Sequence, residues 1–142
     1  MDCIFCKIRD GEIPSAKVYE DEDVYAFLDI TQATEGHTLI IPKKHVDDLF
    51  EYDEKLGSTV FSKIPLIARG LRQAFPQSKG LNMINNNGEV AYQTVFHSHI
   101  HLIPRYSTDD GFKMTMEDHS DSYSSEKLQD IALKISQTIN TL

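Results

Sequence analysis

His97-Ser98-His99-Ile100-His101 places half of the chain's six histidines within five positions. The flanks, Val95-Phe96 and Leu102-Ile103, are apolar and rich in β-branched residues, so the segment is expected to be a strand. Side chains alternate faces along a strand, which turns His97, His99 and His101 the same way. Imidazole is a nucleophile, a proton carrier and a metal ligand near neutral pH. A same-face row therefore points to chemistry. A second candidate is Cys3-Ile4-Phe5-Cys6, which holds both cysteines of the chain. That spacing suits a metal clip, a redox pair or two reduced buried thiols. Zinc would need two further N or S ligands.

These residues must be positioned by about one domain's worth of chain. Its 142 residues can bury a core without disulfides. Asp21-Glu22-Asp23 reads as an acidic turn between strands Lys17–Glu20 and Val24–Leu28. Thr38–Ile41 is a third strand and Leu81–Ile84 a fourth. Between them, Leu56, Val60, Ile64, Ile67, Ala68, Leu71 and Phe75 form an apolar stripe at helical spacing. The main helix is thus expected over 53–75, with a kink or break at Pro65. A short helix capped by Asp2 should run through Arg9 to a stop at Gly11. Residues 107–122 read as a polar excursion. A last helix, capped by Ser124 or Ser125, carries Leu128, Ile131, Ile135, Ile139 and Leu142. Tight turns and one long helix favour an antiparallel sheet with the helix on one face, an α+β domain. The expected division is a core domain over 1–106, with 107–142 packed on it.

Composition excludes several classes. Lys+Arg of 14 against Asp+Glu of 22 gives a net charge of −8. Binding to nucleic acid through its phosphates is not expected. No apolar run is long enough for a membrane span, and Met1-Asp2-Cys3-Ile4 lacks the build of a signal peptide, so the cytoplasm is the default. There is no P-loop, Gly-x-Gly-x-x-Gly or Gly-x-Ser-x-Gly.

His97-Ser98-His99-Ile100-His101-Leu102-Ile103 fits the His-φ-His-φ-His-φ-φ pattern of the histidine triad (HIT) family, with Ser98 at a position that is usually apolar. Glu12-Ile13-Pro14, Phe27-Leu28-Asp29, Gly36-His37, Ile41-Pro42-Lys43-Lys44-His45 and Gln93 extend the match from Cys3 to Arg105. The chain resembles the bacterial Hint-like branch. The resemblance implies a five-stranded sheet, a homodimer, and hydrolysis at the α-phosphate of a purine nucleotide. It makes His99 the nucleophile of a nucleotidyl-histidine intermediate. His101 would contact phosphate, Thr94 assist the leaving group, and His37 stand at the mouth of the site. Asn86 and Gln93 would be further polar contacts. Asp29 would hold the ribose hydroxyls, and Ile4, Phe5, Phe27 and Ile30 would wall the base. The same likeness implies structural zinc on Cys3, Cys6, His45 and His97. Phosphoramidase activity, cleaving P–N and releasing AMP or GMP, is the leading expectation. A dinucleoside polyphosphate hydrolase and a nucleotide-binding regulatory or scaffold module are the alternatives. A nucleotidyl transferase, or a catalytic metal centre built from the three histidines, would be a more distant rival.

Overall fold

The computed structural model describes residues 2–142. Five antiparallel strands, β1 (Lys17–Glu20), β2 (Val24–Leu28), β3 (Thr38–Pro42), β4 (Gly80–Asn85) and β5 (Ile100–Arg105), form one sheet in the order β1-β2-β3-β5-β4. The α+β architecture read from the sequence is the one observed. β2 and β3 are buried along nearly their whole length because both faces are covered. Val24, Ala26, Ile40, Ile100 and Leu102 face one side. They meet Val60, Ile64, Ile67 and Leu71 of the long helix α2 (Glu54–Ala74). Tyr25, Phe27, Leu39 and Ile41 face the other side and meet Phe5 and Ile8 of the short helix α1 (Ile4–Arg9). Each such side chain adds about 1.5–3 kcal/mol by leaving water, so the alternation along β2 and β3 fixes both helices at once.

Three local expectations are corrected. The cap of α1 is Cys3, not Asp2: the Cys3 Sγ accepts the Cys6 N–H at 3.3 Å, and Asp2 pairs with Lys7 instead. α2 continues through Pro65, so the expected helix does not break there. The proline lies on the solvent face, where water can satisfy the carbonyl it leaves without a donor, while the buried stripe holds both halves of the helix. The histidine strand begins only at Ile100. The residues before it are drawn off the ladder, since the Ser98 N–H donates to the Val46 carbonyl at 2.8 Å.

The last helix, α3 (Ser125–Ile139), is capped by Ser124 as expected. It buries none of its residues. Leu128, Ile131, Ile135 and Ile139 are 39–60% exposed, so the apolar stripe meant for packing lies open on the single chain. No helix among the described residues is long and apolar enough to cross a membrane.

Candidate active site and metal centre

The sheet face that carries α1 also carries the histidines. His101 lies in β5, between Leu39 of β3 and Ile84 of β4. Its ring is 5.1 Å from that of His99 and 5.1 Å from that of His37. His37 stands between Gly36 and the first residue of β3, and the φ of +96° at Gly36 suits glycine. An added Cβ there would stand 2.9 Å from the Phe75 ring.

Hydrogen bonds settle which nitrogen of each ring carries a proton. Nδ1 of His99 donates to the His97 carbonyl at 2.8 Å, which leaves Nε2 with a free lone pair. Nδ1 of His37 accepts the Ala33 N–H at 3.2 Å, so its proton sits on Nε2. That Nε2–H donates to Nδ1 of His101 at 2.8 Å. The Nε2 of His101 therefore carries a proton and is a donor. Burial lowers the pKa of His99 and of His37, and burial, with His99 and His37 alongside, takes His101 down to about 4. All three rings are neutral at pH 7. One offers a lone pair and its neighbour offers an N–H.

Asp29 closes this end of the row, its Oδ2 3.6 Å from His37 Nε2. Burial works to raise the carboxyl. Hydrogen bonds from the Thr31 N–H and hydroxyl to Oδ1, at 2.8 and 2.6 Å, outweigh it and hold the group below its ordinary value. Oδ2 keeps lone pairs free for a ligand. No sequence pattern marks Gln32. In a left-handed backbone at φ 41°, it donates to the carbonyls of Asp29 and His37 at 2.6 and 2.8 Å and accepts the Gly36 N–H at 2.9 Å. It staples the loop that sets Asp29 and His37.

Of the expected base wall, Phe5 and Phe27 are buried, ring centroids 5.4 Å apart, and Phe5 stands edge-on to His99 at 5.0 Å. Ile4 is 50% and Ile30 99% exposed. Asn86 is half-buried, and its side chain has no partner among the described residues. Its neighbours do the structural work. Asn85 Nδ2 donates to the His99 carbonyl at 2.9 Å, and Asn87 Nδ2 to Asn85 Oδ1 at 2.7 Å. The expectation for Gln93 is corrected. Its amide donates to the carbonyls of Asp47 and Val95 and accepts the Gly88 N–H, so it shapes the loop and has no N–H left for phosphate. Thr94 is exposed in a shallow depression shared with Ile4, His45 and Phe96.

The second cluster lies at the other end of the row. Sγ of Cys3 and Cys6 and Nδ1 of His45 and His97 converge. Separations are 3.2 Å between the two nitrogens, 3.4 Å from Cys6 to His45, and 3.5 Å from each sulfur to His97. Tetrahedral zinc, at about 2.0–2.1 Å from nitrogen and about 2.3 Å from sulfur, sets its ligand atoms about 3.3–3.8 Å apart. The far nitrogens agree with this. His97 Nε2 donates to the Pro42 carbonyl at 2.8 Å and His45 Nε2 to Asp47 at 3.0 Å. Each Nδ1 thus aims a lone pair inward, the usual outer-shell arrangement of a metal-bound imidazole. Burial lowers His97 to about 4, and burial, then the Cys3 thiol, raises Cys6. A divalent cation would reverse the thiol shift. The residues fit a closed, four-ligand metal centre.

A buried, neutral histidine row on a five-stranded antiparallel sheet, with an acid at one end and a metal-type cluster at the other, defines a histidine-triad domain. The chain belongs to the HIT family, whose HIT domain model matches residues 10–108. It is 52% identical over 138 residues to "Protein hit" of Bacillus subtilis strain 168, covering 97% of this chain and 94% of that protein. The crystal structure of a HIT-family member from Bacillus subtilis superposes with a TM-score of 0.93 at 52% identity, covering 96% of both chains. A Candida albicans adenosine 5'-monophosphoramidase is 42% identical over 106 residues, 72% of this chain and 70% of that protein. A zinc-bound histidine triad protein from Mycobacterium smegmatis is 34% identical, with TM-score 0.73 over 97% of this chain and 98% of that one.

Proposed function

We propose that the chain is a nucleotide hydrolase acting at the α-phosphate, with purine nucleoside phosphoramidates as substrates and AMP or GMP as product. The observation that carries this reading is the pair of tautomers on adjacent rings. His99 Nε2 presents a lone pair, and His101 Nε2 presents an N–H held in place by His37. His99 attacks phosphorus and the P–N bond breaks, giving a nucleotidyl-histidine. The His101 N–H meets the negative charge gathering on a phosphoryl oxygen. Thr94 assists the leaving amine, its hydroxyl relaying a proton from solvent so that no alkoxide is left. Water then cleaves the P–N bond to His99 and frees the nucleotide. Phe5 and Phe27 hold the base between apolar walls, with Ile4 and Ile30 at the rim, and the free oxygen of Asp29 takes the ribose diol. The unpartnered amide of Asn86 is a phosphate or ribose contact. The Candida relative's activity supports the choice of substrate.

Cys3, Cys6, His45 and His97 would hold zinc. With four protein ligands its role is structural, tying α1 to the sheet. Thiols used in this way suit a reducing compartment, the cytoplasm. The working form is a homodimer. The open apolar face of α3 supports this, because an isolated 15-residue helix is marginal in water without a surface to cover it.

The test is turnover of adenosine 5'-phosphoramidate by wild type and His99→Ala, with a diadenosine polyphosphate in parallel. AMP release from the phosphoramidate that vanishes in the mutant is expected. Faster cleavage of the dinucleotide would move the protein to the polyphosphate hydrolases. Binding without turnover of either would make it a nucleotide-binding module.

A further inference from the structure

Two residues belong to both ends of the histidine row. His97 offers its ring to the metal-type cluster, while its carbonyl accepts the Nδ1–H of His99 and so fixes the tautomer of the proposed nucleophile. Phe5 lies between the two cysteines in sequence. Its ring stands edge-on to His97 at 6.1 Å, to His99 at 5.0 Å and to Phe27 at 5.4 Å. The helix that bears Phe5 has six residues and a thiol for a cap. A helix that short does not hold itself together in water. Its position depends on the cysteines at its start and on the burial of Phe5 and Ile8. Without a cation, the Nδ1 lone pairs of His45 and His97, 3.2 Å apart, have only the weak thiol donors of Cys3 and Cys6 between them. A cation there would fix His97 more firmly, and with it the carbonyl that His99 depends on.

We propose that the metal centre and the nucleotide site are thermodynamically linked through Phe5 and His97. Metal on Cys3, Cys6, His45 and His97 tightens nucleotide binding, and bound nucleotide tightens metal binding. The inference rests on the nucleotide and zinc readings above. Linkage is reciprocal, so the same factor must appear in both equilibria.

The experiment compares zinc-loaded and chelator-stripped protein. AMP affinity is measured by calorimetry, and zinc affinity by competition with a chromophoric chelator, with and without saturating AMP. About a tenfold gain is expected in each, a coupling of ordinary size. Phe5→Leu lowers the ratio of AMP affinities with and without zinc. A side chain that only walls the base would weaken AMP equally in both forms and leave the ratio unchanged. That result, or zinc affinity indifferent to AMP, overturns the linkage while leaving both sites standing. Failure to bind AMP in any form, or to bind one zinc per chain, overturns the linkage together with the reading beneath it. If stripped protein unfolds, cobalt replaces zinc. AMP should then shift the d–d absorption of the bound ion and raise its resistance to chelator, and the absence of both changes overturns the proposal.

Discussion

The two ends of the histidine row use one side chain for opposite purposes. At the Cys3 end, His45 and His97 each donate their far N–H to an oxygen, so two lone pairs meet at 3.2 Å. At the Asp29 end, the far nitrogen of His37 accepts a backbone N–H instead, so a proton lies between His37 and His101 at 2.8 Å. The second arrangement also gathers a carboxylate and two imidazoles, a donor set that often holds metals. The Ala33 N–H argues against it, because a cation on His37 Nε2 would need that nitrogen stripped of its proton. The atom behind each ring, not the ring, separates a metal ligand from a proton donor.

The comparison can be broken by making each end fail alone. His99→Ala should cost at least roughly a thousandfold in turnover and still bind one zinc per chain, checked by metal analysis of the purified variant. Loss of metal in that variant would mean the ends are not separable parts. Stripping zinc, or replacing Cys6 by Ser, should lower the melting temperature by about 5–10 °C, on the order of 2 kcal/mol for a domain of this size. Equal melting with and without chelator would remove the structural role of the cluster. His37→Gln keeps an amide at the relay but cannot pass on the tautomer. A loss of about ten- to a hundredfold in kcat with unchanged zinc content is expected, at or below the lower end of direct acid–base effects because His37 acts through His101. The smallest effect is in pH. The pKa of His99 is lowered and that of His101 lies near 4, so the neutral forms persist below the ordinary imidazole value of about 6.5. The acid limb of kcat/KM should accordingly lie below that ordinary value. A limb at 6.5 or above would show that these rings are solvated in the working protein.

Much of the frame was legible because period and burial coincide. The stripe from Leu56 to Phe75 and the doubly buried runs of β2 and β3 each admit one structure. Cys3, Cys6, His45 and His97 also came together, as did Asp29, His37 and His101. What escaped was set by single backbone bonds. Ser98 pulls the lead-in off the ladder through Val46, and this delays β5 to Ile100. Gln32 and Asn85 act through carbonyls that no sequence pattern marks. Gln93 looked like a free donor until the loop around it claimed both N–H groups. The openness of α3 was hidden for another reason: an amphipathic pattern shows that a face will be covered, not which chain covers it.

The contact between Cys3 and His97 joins residues 94 apart in the chain. Closing so long a span is entropically costly until the strands between have paired. Phe5 and Ile8 of α1 can meet Tyr25, Phe27, Leu39 and Ile41 once β2 and β3 pair, but the thiols find His97 only when the segment before β5 is in place. The helix should therefore dock on the sheet before its thiols are fixed, and pulse-labelling hydrogen exchange during refolding should show its full protection arriving after that of β2 and β3. A nascent or truncated chain ending before His97 would then carry an assembled part of the sheet with its cluster of Cys3, Cys6 and His45 incomplete and both thiols open to oxidation.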